Sequence, residues 1–260
     1  MEQRRILSNG GQLTNKPREE DAMIKDPPLL TIRRHFERPS PDLIAKLAGA
    51  QTGHIVDALL GRGALDQAVK PVDPARAQFV GSALTCETGP SDNLAIMAAI
   101  AIAKPGDVIV AASDAFSATA VVGDNIAAMA KNKGVVAIVI DGMARDSEGI
   151  VNVGLPVFAR GITPNSCVRS GPGRIGLPIV CAGVAIQAGD VALGDRDGVV
   201  IIPRADVAAI AAKLDGIRRA EAALQEKIRS GMSQMDSLTE LLRSDQVVYA
   251  DEPGQPSCQT

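Results

Sequence analysis

The chain has 260 residues, 46% of them hydrophobic and 22% charged, with a formal charge of −3; this describes a globular protein, not a disordered or collagen-like one. It has no Trp, one Tyr (Tyr249), four Phe and two His (His35 and His54), which argues against aromatic stacking platforms for single-stranded nucleic acid, and the weak negative charge gives no footprint for binding polyanions. Cys86, Cys167, Cys181 and Cys258 are scattered far from one another and from the two His, so a zinc site is not expected; any metal would be held by carboxylates and water, which favours Mg²⁺ or Mn²⁺.

Residues 1–28 are polar, carry Arg4-Arg5 and the charged run from Lys16 to Asp21, and lack the apolar centre of a signal peptide. They read as a flexible extension ending at Pro27-Pro28, and the unpatterned cysteines read as reduced thiols of a cytoplasmic protein. No segment is apolar for long enough to cross a membrane as a helix. Ser40-Pro41-Asp42 predicts a helix start, with Leu43, Ile44, Leu47 and Ala48 as its apolar face and an end near Gly53. A second short helix is expected from Ile55 to Leu60, before the turn Gly61-Arg62-Gly63.

Phe79 to Cys86 reads as a strand, Ser91-Asp92 as the cap of a helix to about Ala103, and Val108 to Ala112 as a buried strand. Gly123 to Lys133 is helical in pattern and Val135 to Ile140 is a continuous apolar strand. This alternation predicts an α/β domain. Pro156 to Ala159, Ile179 to Ile186 and Val199 to Ile202 are expected as short strands, with a tight hairpin turn at Asp195-Arg196-Asp197-Gly198. Ala205 to Arg229 is helical again, stopped at Gly231. Residues 245–260 have no periodicity and read as a tail.

Two places carry candidate chemistry. Val121-Val122-Gly123-Asp124-Asn125-Ile126 runs from a β-branched pair into a helix, so several backbone N–H groups converge at its positive end, where a carboxylate or phosphate can bind. Taken alone, Gly123 could serve only the turn and Asp124 only the cap. Asp141-Gly142-Met143-Ala144-Arg145-Asp146 follows the strand ending at Ile140, at the end of an α/β sheet where ligands bind. There Arg145 could clamp a carboxylate and Asp146 a divalent cation, or the two could be a surface ion pair. Asp124 and Arg145 are separated by twenty residues, a spacing that can bring both to the same end of neighbouring strands.

The same pattern, Gly-Asp followed after twenty residues by Arg-Asp, resembles the signature of the class II pyruvate aldolases of the RraA-like family, which act on 4-hydroxy-4-methyl-2-oxoglutarate and 4-carboxy-4-hydroxy-2-oxoadipate. The resemblance extends through Thr52 with Val56-Asp57-Ala58, Gly81-Ser82-Ala83-Leu84-Thr85, Pro105-Gly106-Asp107-Val108, Gly189-Asp190 and Asp195 to Pro203. It covers about residues 31–232, leaving residues 1–30 as an extension and 233–260 as a tail.

The resemblance implies an α/β fold of the swivelling β/α/β type with a long C-terminal helix. It also implies assembly as a homotrimer or homohexamer with sites between subunits, and Mg²⁺- or Mn²⁺-dependent retro-aldol cleavage to pyruvate together with oxaloacetate decarboxylation. Its substrate would be a small 2-oxo acid, with no nucleic-acid or membrane partner. By position, the backbone from Gly123 through Asp124 and Asn125 to Ile126 would bind the 2-oxo-acid carboxylate. Arg145 would hold the oxygen that becomes the enolate, Asp146 would ligate the metal, and Asp124 would orient a metal-bound water that handles the proton. Glu221 falls where the family has an acidic residue reaching a neighbouring subunit's metal site, though it also reads as one charge of a solvated helix face.

Arg62, Arg169 and Arg174 could bind further carboxylates or be exposed charges, and His54 reads as a satisfied, partly buried side chain. The same fold also resembles regulators that bind and inhibit an RNA-degrading endonuclease. Decarboxylation of another oxo acid is a further alternative.

Overall fold

A computed structural model describes residues 26–250. The expected extension lies largely outside these residues, as do residues 251–260 of the expected tail, Cys258 among them. The chain forms β1 (Leu30–Ile32), α1 (Pro41–Ala45), α2 (Thr52–Ala58), β2 (Lys70–Pro71), β3 (Phe79–Thr88), α3 (Leu94–Ile102) and β4 (Asp107–Ala112). It continues through β5 (Ala120–Val122), α4 (Asp124–Asn132), β6 (Ala137–Ile140), β7 (Met143–Ala144), α5 (Ser147–Val153), β8 (Val157–Ala159) and β9 (Gly161–Ile162). The last part holds β10 (Gly173–Ile175), β11 (Ile179–Cys181), β12 (Val184–Ile186), β13 (Val191–Asp195), β14 (Gly198–Ile202), α6 (Val207–Arg229) and α7 (Asp236–Leu242).

The α/β expectation is met. Strands β3, β4, β6 and β8 run parallel in that order at the centre of the main sheet. Strand β3 is long enough to serve two antiparallel neighbours, β13 along Phe79–Ser82 and β10 along Cys86–Thr88. Strands β4, β6 and β8 read as apolar runs over Val108–Ala112, Ala137–Ile140 and Val157–Ala159 because both faces are covered, whereas β3 is interrupted by Ser82, Thr85, Glu87 and Thr88. Leu84, Ile109, Ile138 and Ile140 pack under α3, α4 and α5, whereas Ala83, Val108, Val110 and Val139 face the hairpin β11–β12. Phe79 and Phe158 meet edge to face on that second side, their centroids 5.3 Å apart. A third apolar cluster joins α1, α2 and α6 to β13 and β14.

Several boundaries differ from the sequence reading. Ser40 does cap the first helix, its Oγ accepting from the Leu43 N–H at 3.3 Å, but α1 ends at Ala45 and a turn with left-handed Gly49 follows. The next helix starts at Thr52 because the Asp195 carboxylate accepts from both the Thr52 N–H (2.7 Å) and its hydroxyl (2.9 Å). Gly53 therefore lies inside α2. Helix α3 has Asn93 at its N-cap, not Ser91, whose φ is +60°. The Asp92 carboxylate does accept from the Leu94 N–H at 2.8 Å.

The run Ile179–Ile186 is a hairpin, not one strand, because Ala182 and Gly183 both take positive φ. The expected turn at Asp195–Gly198 closes β13–β14. Helix α6 is the long C-terminal helix, with Gly231 in positive φ just beyond its end. Helix α7 falls inside the segment read as a tail. No helix of the described residues is long and apolar enough to cross a membrane.

Candidate functional site

Strands β5, β7 and β9 form a separate parallel sheet, with Val122 opposite Ala144 and Ala144 opposite Ile162. The Arg145 N–H donates to the Val122 carbonyl at 2.9 Å, extending this ladder by one residue. The expected meeting of the two segments therefore occurs: Gly123-Asp124 leave the carboxyl end of β5 and Arg145-Asp146 leave that of β7. The strand that presents Arg145 is β7 and not the buried β6. Asp141, between them, is occupied structurally, accepting from the Ser113 N–H at 2.6 Å and its hydroxyl at 2.9 Å.

A cleft of about 320 Å³ opens where these strands end, lined by Gly123, Asp124, Asn125, Ile126, Arg145 and Asp146. Gly123 is the N-cap of α4. Among the described residues, the N–H groups of Gly123, Asp124 and Ile126 meet no acceptor, while that of Asn125 is taken by the Asp124 carboxylate at 2.6 Å. These free donors lie at the positive end of a helix, where an anion is favoured.

Arg145 lies with its Nε 3.2 Å from Asp146 Oδ2, both side chains partly exposed at 37% and 46%. Its Nη1 donates to the Ser166 hydroxyl, and Ser166 bridges back to Ala120 of β5. Asp146 is in the left-handed region, φ 53° and ψ 46°, at the start of α5; this conformation is costly for a residue with a Cβ. It returns the carboxylate toward the start of α4. A Cβ on Gly123 would come within 2.7 Å of Asp146 Oδ2, so glycine leaves the space that this carboxylate occupies. The Asp124 carboxylate lies in the same way over Gly149 of α5, where a Cβ would approach Asp124 Oδ2 to 2.5 Å.

Further residues complete the walls. Asn93, only 3% exposed, donates from Nδ2 to the Val121 carbonyl at 3.3 Å, and its Oδ1 has no partner among the described residues. Cys167 also lines the cleft. Burial pushes its thiol up from the usual range, opposed by the nearby charges of Arg169 and Arg145. Sequence reasoning missed Asn93, Ser166 and Cys167 as parts of this site, because loops bring them in from distant positions.

Glu221 is not in the cleft of its own chain. It pairs with His54 Nε2 on α2, and His54 Nδ1 is buried with no partner among the described residues. Of the three candidate arginines, Arg174 is paired with Glu87 at 2.9 Å and Arg62 donates to the Leu59 carbonyl at 3.2 Å. Arg169 lines the cleft. No three His, Cys, Asp or Glu side chains converge among the described residues.

Residues 52–201 match the family model described as RraA-like, Aldolase/RraA. The chain belongs to the RraA-like family. A relative from Halalkalibacterium halodurans, named "Putative 4-hydroxy-4-methyl-2-oxoglutarate aldolase", is 39% identical over 163 residues, 63% of this chain and 77% of that one. An uncharacterized protein of Pseudomonas syringae pv. tomato superposes with a TM-score of 0.66 at 25% identity, covering 76% of this chain and 97% of that one. The RNA-processing inhibitor RraA from Thermus thermophilus superposes at 0.54 with 28% identity, covering 59% and 93%. The RraA-like match runs from the start of α2 into β14, including every strand that presents the cleft.

Proposed function

We propose that this RraA-like protein is a divalent-metal-dependent aldolase that cleaves 4-hydroxy-4-methyl-2-oxoglutarate-type acids to pyruvate and also decarboxylates oxaloacetate. The observation that carries the reading is the convergence of free backbone N–H groups, one guanidinium and two carboxylates in one cleft. The aldolase name of the Halalkalibacterium relative supports it.

Both reactions break a carbon–carbon bond one atom from a 2-oxo group and push the bonding electrons into a pyruvate enolate. The N–H groups at Gly123, Asp124 and Ile126 bind the C1 carboxylate. Arg145, aimed by Ser166 and Asp146, donates to the 2-oxo oxygen and gains interaction energy as negative charge grows there. Retro-aldol cleavage must also remove the 4-hydroxyl proton. Asp124 serves that step as the base, directly or through a water. Decarboxylation has no such proton to remove.

The donor set fits a hard cation. Asp146 offers an accessible carboxylate in space that Gly123 leaves open, the hard oxygen donor that Mg²⁺ or Mn²⁺ prefers. Asp146 would hold Mg²⁺ or Mn²⁺, which when bound supplies Lewis acidity to the 2-oxo acid. Assembly into a trimer or hexamer, with Glu221 acting across subunits, belongs to the same proposal.

The deciding experiment is pyruvate release from a panel of 4-hydroxy-2-oxo acids and oxaloacetate, after chelation and after Mg²⁺ is restored. Turnover that requires Mg²⁺ and is lost in Asp146→Ala is expected. Undiminished turnover in Asp146→Ala would remove the metal assignment. The likeness to the Thermus RNA-processing inhibitor keeps a second reading: no turnover of any 2-oxo acid, together with tight binding to an RNA-degrading enzyme, would favour it.

A further inference from the structure

Two methionines of the cleft take part neither in the core nor in the chemistry above. Met97 on α3 and Met129 on α4 both line it, beside Ile126. Their neighbours on the same helices, Ala95, Ile96, Ala99, Ala127 and Ala130, are buried in the apolar cluster under the main sheet, and neither methionine is part of that cluster. Met97 is half-buried and Met129 is 43% exposed. Folding therefore leaves two long apolar side chains on the wall of a cleft whose other residues are largely polar or charged.

Ile126 offers both a free N–H at the start of α4 and a side chain to the cleft, so the apolar wall begins at the carboxylate site itself. Met129 follows three residues later on the same helix face, and a helical side chain leans toward the N-terminus of its helix. Met97 lies one turn after Asn93, the N-cap of α3, and both line the cleft. A 2-oxo acid held by its C1 carboxylate at the α4 N–H groups carries C4 only three bonds further on, less than the rise of about 5.4 Å in one helical turn. The loop that lines the cleft through Ser166, Cys167 and Arg169 is tied down, because the buried Asp92 carboxylate accepts from the N–H groups of Ser170 and Gly171. The methionines are the adaptable part of the lining, unbranched thioethers that reshape around what they touch.

We propose that Met97 and Met129, together with Ile126, receive an apolar substituent at C4 of the substrate, so that the cleft favours 2-oxo acids with a methyl or larger alkyl group there over those with a carboxymethyl group. This rests on reading the cleft as a 2-oxo acid site, and it selects among the substrates of that reading. An alkyl group gains by leaving water against the thioethers. A carboxymethyl group in the same place loses hydration and finds no donor on either methionine.

Calorimetry on the full chain in Mg²⁺-containing buffer, with pyruvate, 2-oxobutanoate, 2-oxopentanoate and 4-methyl-2-oxopentanoate, measures the wall apart from the reaction, since none of the four has a 4-hydroxyl group. Affinity is expected to rise about threefold to fourfold with each added carbon. The joint variant Met97→Gln with Met129→Gln keeps side-chain length and should compress the whole rise to under about threefold, whereas Met97→Leu with Met129→Leu should keep most of it. Among reacting acids, kcat/KM for 4-hydroxy-4-methyl-2-oxoglutarate should exceed that for 4-carboxy-4-hydroxy-2-oxoadipate by about tenfold. The proposal is overturned, with the 2-oxo acid reading intact, by a flat series in the wild type, by a rise that survives in the glutamine variant, or by a leucine variant as flat as the glutamine one. Faster cleavage of the carboxymethyl acid, as would follow if Arg169 held that group, overturns it as well. Failure of all four acids to bind removes both readings. A rise that depends on the methionines, with no turnover of any 2-oxo acid, retires the aldolase reading and leaves the apolar wall standing.

Discussion

Asp146 Oδ2 stands 2.7 Å from the point that a Cβ on Gly123 would occupy, and Cγ and Nε of Arg145 stand 3.3 and 3.4 Å from it. The absence of one methyl group at the end of β5 thus lets the side chains of Arg145 and Asp146, which follow β7, lie against the start of α4. The backbone of Gly123 is extended, φ −132° and ψ −174°, which an alanine adopts without strain. Gly123→Ala is therefore expected to fold and to displace Arg145 and Asp146. A misplacement of this kind costs on the order of 100-fold in kcat/KM, read by pyruvate release, with a thermal midpoint within about 4 °C of the wild type. Full activity in the alanine variant would show that the close packing has no bearing on the reaction.

Arg145 aims its guanidinium with two partners, the Ser166 hydroxyl and the Asp146 carboxylate. A lysine preserves the charge but not the fork. Arg145→Lys should lower kcat by roughly 100- to 1,000-fold, the usual size of losing one donor to a developing oxyanion. Ser166→Ala, which leaves the guanidinium in place but less constrained, should lose much less. Equal losses in the two variants would place the main role of Arg145 in structure and not in the reaction.

Asp124 separates the two proposed activities. Its carboxylate lies over Gly149 and caps the Asn125 N–H, so Asp124→Asn keeps the shape and removes the base. Cleavage of a 4-hydroxy-2-oxo acid is expected to fall by about 100-fold or more, within the range for losing a general base. Oxaloacetate decarboxylation, with no hydroxyl proton to move, should fall far less. Parallel loss of both rates would argue against a proton-transfer role.

The sequence revealed those parts of the molecule that rest on local chemistry. Strands β4 and β6 are legible because both faces are buried and Val108–Ala112 and Ala137–Ile140 are apolar without interruption, and β3 from the apolar residues of Phe79–Cys86 around Ser82 and Thr85. The hairpin β13–β14 is legible from its Asp and Gly turn. The small sheet was not: β7 and β9 have two residues each, too few for any periodicity to show. That sheet is what brings Gly123 and Arg145 together, so their meeting could be anticipated only from the twenty-residue spacing and the family resemblance. Asn93, Ser166 and the clamp of Asp92 on the loop after Arg169 come from segments more than twenty residues away from their partners, and nothing local in those segments marks them. Glu221 shows the reverse case. Its helix was correctly expected, but its contact with His54 depends on how α6 crosses α2.

Two buried thiols give stability an alkaline limit. Cys86 and Cys181 are buried, and burial pushes both thiols well above their usual range. In the unfolded chain each ionises near pH 8.5. Above that pH the unfolded state has released protons that the folded state retains, so the unfolded state binds fewer protons and unfolding becomes easier as pH rises. Each thiol contributes a loss of about 1.4 kcal/mol per pH unit over that window and nothing at neutral pH, where both states are protonated. Urea midpoints taken from pH 7 to pH 10 should therefore fall more steeply for the wild type than for Cys86→Ala or Cys181→Ala, even though each alanine lowers the midpoint at pH 7 by leaving a small cavity. Parallel pH profiles for wild type and variants would show that these thiols do not set the limit.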